Sequence, residues 1–195
     1  MSYFKSFFRR NKPKEEVTYL KPKDIHIEDN HIDIPSIEIK NYKAERKTLL
    51  IMDDYPGMIS LLRDDLSEVQ GDYESKYNIL EATGNFAAFS VIHFLNKSII
   101  PIDLALIDIT LGGIVVKQGA ITEYDGVDVA LMLLKRYPRC KIRFVTGHTI
   151  NRKNPEIYKF IKKYEDATGL YIDEIIVPKN SNRKESIATF LQEVM

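Results

Sequence analysis

A chain of 195 residues with 28 Lys and Arg against 28 Asp and Glu has room for one domain, or one domain plus a tail, and its balanced charge argues neither for nor against a nucleic-acid partner. The single cysteine, Cys140, excludes an internal disulfide framework, and no run approaches the roughly 20 apolar residues of a membrane span. The start, MSYFKSFFRR, has no apolar stretch of signal-peptide length, so these features together predict a cytoplasmic protein.

Residues 1–45 are polar and broken by Pro13, Pro22 and Pro35. The segment is basic over residues 1–23 (Lys5, Arg9, Arg10, Lys12, Lys14, Lys21, Lys23) and acidic over 24–45 (Asp24, Glu28, Asp29, Asp33, Glu38, Glu45). In the acidic half Ile25 and Ile27, Ile32 and Ile34, and Ile37 and Ile39 alternate with polar residues, which predicts short extended pieces on an extended or partly disordered segment. Phe4, Phe7 and Phe8 fall at helical spacing among Lys5, Arg9, Arg10 and Lys12, a pattern open to weak contact with an anionic membrane surface through residues 1–12, to docking on a partner, or to a passive tail.

From residue 46 the pattern is of alternating strands and helices. Thr48–Asp53 (TLLIMD) is a short apolar run ending at two acids, and Pro56 suits the first turn of a helix carrying Met58, Leu61, Leu62 and Leu66 on one face. Tyr77–Ala82 reads as a strand, Phe86–Leu95 as a helix, Asp103–Asp108 (DLALID) as a strand and Val127–Arg136 as a helix. Lys141–Thr146, Pro155–Tyr164, Asp173–Val177 and Glu185–Val194 complete five βα repeats, with Tyr171 expected in the core. Between Asp108 and Asp125-Gly126, two β-prone runs flank Lys117-Gln118-Gly119, which predicts a small hairpin over 111–124: a lid, a docking element or a neutral insertion. Such alternation implies an α/β doubly wound five-stranded parallel sheet, whose functional groups gather at the carboxyl ends of the strands.

Those ends carry Asp53 and Asp54, Asp108, Thr146 and, just past the last strand, Lys179. Three clustered carboxylates repel one another unless a cation or proton intervenes, and Mg²⁺, a hard oxygen-seeking ion, is the natural choice. A carboxylate beside such a metal can attack phosphorus, while Lys179, the Thr146 hydroxyl and the Gly147 N–H can meet the phosphoryl oxygens. Asp108 is the hardest to read as a bland surface acid, because an acid ending an apolar strand needs a partner.

In the order LLIMDD, LALIDI, RFVTG, IIVPK, residues 46–195 resemble the receiver (CheY-like) domain of two-component response regulators, of strand order 2-1-3-4-5. The resemblance implies Asp108 as phosphoacceptor, Mg²⁺ held by Asp53, Asp54, Asp108 and the Thr110 backbone carbonyl, and phosphoryl contacts from Thr146, Gly147 and Lys179. It also implies Thr110 and His148 as positions that tune dephosphorylation, a histidine kinase or phosphotransfer protein as donor, and a downstream protein partner. Because the chain stops after the last helix, with no helix-turn-helix and no basic face, a stand-alone receiver without DNA binding is expected. Two departures feed a second reading, a phosphorylation-independent interaction module. The usual Lys-Pro pair is inverted to Pro178-Lys179, and Ile176 stands where receivers carry an aromatic switch residue. A phosphatase of the strand-end aspartate type would need a second acid at Thr110.

Overall fold

The computed structural model describes residues 37, 39–84, 86–111, 114–117, 120–147 and 155–193. The readings made for residues 1–36 and for His148 lie outside them. The described residues belong to one unit, 33–195.

β1 (Lys47–Asp53) and β3 (Leu104–Asp108) are buried almost throughout, as strands covered on both faces must be. β2 (Tyr77–Thr83) pairs with β1, β6 (Lys141–Thr146) with β3, and β7 (Ile176–Pro178) with β6, all parallel, in the order β2-β1-β3-β6-β7. Counting only these five in chain order, the sequence is the expected 2-1-3-4-5. On one face the core gathers α3 (Ala87–Lys97), α4 (Gly126–Arg136) and α5 (Pro155–Thr168) around Leu50, Ala105 and Phe144. On the other, α1 (Pro56–Gln70) and α6 (Arg183–Gln192) pack on Leu49, Ile51, Leu104 and Leu106. Cys140 is buried in the first core, which pushes its thiol up to about 12.

The hairpin forms as predicted: β4 (Ile114–Lys117) and β5 (Ala120–Glu123) pair antiparallel, Ile114 opposite Glu123 and Lys117 opposite Ala120. Upstream of β1, Ile37 and Ile39 pack on the first core, and the buried Asn78 accepts from the Lys43 N–H at 2.9 Å and donates to the Lys43 and Arg46 carbonyls. No helix among the described residues is long and apolar enough to cross a membrane.

Three local expectations are corrected. Leu61 is 43% exposed, because α1 buries the stripe Ile59, Leu62 and Leu66, and Leu61 lies one residue, about 100°, off it. Asp65 joins that stripe instead, buried and ion-paired with Arg183 of α6. A short helix, α2 (Tyr73–Lys76), capped by the Asp72 carboxylate on the Ser75 N–H, precedes β2 where none was predicted. Residues 172–175 form a 3₁₀ turn rather than the start of a strand; only Ile176–Pro178 reach β6, and Tyr171 is 62% exposed because Ile172 takes the core position.

Candidate functional site

Parallel pairing in register brings the strand ends to one edge, with Met52 beside Ile107, Asp108 beside Val145, and Thr146 beside Pro178. Asp53 closes β1 fully buried; its Oδ1 accepts the Tyr55 N–H at 3.0 Å. Its Oδ2 makes no aligned hydrogen bond, but lies 2.7 Å from the Lys179 ammonium, a contact between charges. Asp108, only 3% exposed, accepts from Lys179 Nζ at 2.9 Å on Oδ2 and from the Thr110 N–H at 3.3 Å on Oδ1. Asp54, half-buried, completes the set: each of the three aspartates offers one oxygen, and these lie within 4.8 Å of one another. Thr146 is buried at the end of β6. Gly147 follows, and a Cβ there would meet Lys179 Cδ at an ordinary 3.8 Å, so packing alone does not demand a glycine.

The inverted Pro178-Lys179 does not keep the lysine out. β7 is an edge strand, and a parallel strand turns only alternate N–H groups toward its partner. The Lys179 N–H makes the bond to the Thr146 carbonyl, at 2.8 Å, and the position without an N–H falls on the unpaired side. Ile176 packs against the first core with no ring to turn.

Burial raises the Asp108 carboxyl above its ordinary 3.8; Lys179 pulls it back and the Asp53 charge pushes it further up. Burial opposes the Lys179 charge, but its ion pairs with Asp53 and Asp108 outweigh that and hold its pKa above 10.5. A carboxyl with a raised folded pKa is protonated more readily in the native state. Its ionised form therefore costs stability at neutral pH, and the cost fades as pH falls toward 3.8. Metal-free Asp108→Asn is expected to melt a few degrees above the parent at pH 7, with the gap closing near pH 4. Calorimetry at the two pH values checks this, and equal melting at pH 7 would contradict it.

One neighbour carries a meaning the sequence does not announce. A Cβ on Gly126, at the start of α4, would lie 1.8 Å from the Asp108 carbonyl oxygen. The Gly126 N–H also bonds the Ile109 carbonyl at 3.1 Å, so helix and strand end touch backbone to backbone. The only sequence signal was a glycine at the front of a helix, where it is not needed as a C-terminal cap. A cavity of about 860 Å³ along β2, lined by Lys43, Arg46, Arg63 and Glu81 among others, includes none of the three aspartates.

The arrangement suits a hard divalent cation: carboxylate oxygens from two adjacent strands, one of them buried without a hydrogen bond, with an ammonium at the spot where positive charge is wanted. No family model and no curated protein matches the sequence. Solved structures resemble it. The signal receiver domain of an HD domain-containing protein from Pseudomonas fluorescens Pf-5 aligns with a TM-score of 0.50 and 15% identity, over 76% of this chain and 93% of that one. A CheY-like response regulator receiver domain protein from Methanospirillum hungatei JF-1 gives 0.48 and 20% over 76% and 92%. The chemotaxis protein CheY4 of Vibrio cholerae gives 0.47 and 16% over 77% and 99%. Identity this low speaks to the fold, and the assignment rests on the sheet order and on the first of these. The fold is that of CheY-like receiver domains.

Proposed function

We propose that this chain is a response-regulator receiver that accepts a phosphoryl group on Asp108 from a histidine kinase or phosphotransfer protein and acts through protein contact. What carries the reading is three aspartates on one strand edge with Lys179 bonded between two of them. An Asp108 carboxylate oxygen attacks phosphorus as the donor's P–N bond breaks, leaving an aspartyl phosphate and a free imidazole. Asp53, Asp54, Asp108 and the Thr110 carbonyl would hold Mg²⁺, which supplies positive charge where the phosphoryl oxygens gather. Until then Lys179 neutralises the buried pair Asp53 and Asp108; afterwards its ammonium is free to follow the new negative charge onto the phosphoryl group. The Thr146 hydroxyl and Gly147 N–H would donate to the phosphoryl oxygens as well, and Thr110 and His148 hold the sequence positions that would set how fast the phosphate is lost.

Incubation with acetyl phosphate and Mg²⁺, read by intact mass, should add one phosphoryl group, abolished by Asp108→Ala and by chelator. Labelling that survives either would overturn the assignment. Ile176, which lacks the ring that would couple Thr146 to the surface, favours a second reading: a phosphorylation-independent interaction module. A parent protein that takes up no phosphoryl group would select it.

A further inference from the structure

α4 begins with two acids in a reciprocal cap. Asp125 Oδ1 accepts the Asp128 N–H at 2.8 Å, and Asp128 Oδ2 accepts the Asp125 N–H at 3.2 Å. Their other two oxygens face one ammonium from a different helix: Lys163 Nζ of α5 lies 2.9 Å from Asp125 Oδ2 and 2.6 Å from Asp128 Oδ1. All four carboxylate oxygens are thus engaged, two by backbone and two by Lys163. The residue between this knot and the strand is Gly126, whose N–H bonds Ile109 and whose Cα leaves no room for a Cβ against the Asp108 carbonyl. Adjacent carboxylates on one helix turn repel, and only the half-buried Lys163 among the described basic side chains bridges them.

We infer that Lys163 is a positioning residue for Asp108: by clamping Asp125 and Asp128 it presses the start of α4 onto the end of β3, and so links the placement of the reacting carboxylate to α5. Loss of the ammonium leaves two half-buried acids repelling at the cap, and the helix start backs away from Ile109. The inference rests on the phosphoryl-transfer reading for its consequence in the reaction, but not for the clamp itself.

The test uses the full chain with Lys163→Met, Lys163→Arg and, as a second break that keeps both acids and a side chain of similar reach without its charge, Lys163→Gln. In metal-free protein, hydrogen exchange at the Gly126 amide should quicken about tenfold in Lys163→Met and Lys163→Gln, while the β1 amides of Leu50 and Ile51 hold their rates. The rate constant for labelling by saturating acetyl phosphate and Mg²⁺ should fall about tenfold in the same variants, and Lys163→Arg should restore both readouts to within about twofold. An unchanged Gly126 amide, or equal quickening at β1, would overturn the clamp, since the second outcome means general loosening. A quickened Gly126 amide with an unchanged labelling rate would overturn the positioning role. If the parent protein is never labelled, the phosphoryl-transfer reading fails by itself, and the exchange arm still decides the clamp.

Discussion

Gly126→Ala is expected to destabilise the protein by about 3 kcal/mol, with a melting temperature lower by roughly 6–12 °C. The added methyl group would sit 1.8 Å from the Asp108 carbonyl oxygen, 2.8 Å from its carbonyl carbon and 3.0 Å from Ile107 Cγ2. Two of those atoms are backbone in the central strand of the sheet, so neither can swing aside as a flexible side chain does. α4 would have to retreat from β3, opening the packing of Val127, Val129, Ala130 and Leu133, all of which are fully buried. The effect is steric rather than conformational, because Gly126 is not among the residues with positive φ. Since the clashing atoms belong to Asp108, labelling by acetyl phosphate should slow in parallel. A variant within about 0.5 kcal/mol of the parent by urea denaturation would show that the helix can retreat freely.

Lys179→Met should cost about 3 kcal/mol in metal-free protein at pH 7, because it strands two buried carboxylates that share one cation. Its pH dependence distinguishes this cause from lost packing. Without the ammonium, the Asp108 carboxyl is held up by burial and by Asp53, with only the Thr110 N–H to pull it back. The deficit should therefore shrink as acid protonates the pair, and shrink again at pH 7 when Mg²⁺ supplies the missing charge. In the parent, Lys179 makes its own contribution throughout the neutral range; its raised pKa places the loss of that contribution in alkali, above 10.5. A deficit that stays constant from pH 7 to pH 4 and ignores Mg²⁺ would mean that the lysine serves through its alkyl stem alone.

The central strands were legible because a parallel strand buried on both faces is written as an unbroken apolar run: TLLIMD and DLALID have no other economical reading. Their ends placed Asp53, Asp54 and Asp108 on one edge before any distance was known. Leu61 and Tyr171 failed for a different reason. Each lies one residue from the buried position, and an apolar residue does not state its own phase on a helix or turn. The arrival of Lys179 turned on which way the nitrogen of Pro178 faces in an edge strand, a property of the sheet rather than of the dipeptide. Gly126 and Lys163 were silent because their partners are 17 or more residues away, and nothing in a helical lysine or a lone glycine names a partner at that distance.

Cys140 has a practical consequence. A thiol held near 12 in a closed core is unreactive toward maleimides at neutral pH, and the chain has no tryptophan. The molecule is thus blank to two common labels at once. A cysteine introduced at Tyr158, exposed on α5, would be the one reactive sulfhydryl, and a tryptophan in place of Tyr55, exposed beside Asp53 and Asp54, the one indole. Carried in the same chain, the indole and a maleimide dye attached to that sulfhydryl would form a donor–acceptor pair reporting the distance between the carboxylate edge and the helix that bears Lys163, with no native residue to mask or remove first.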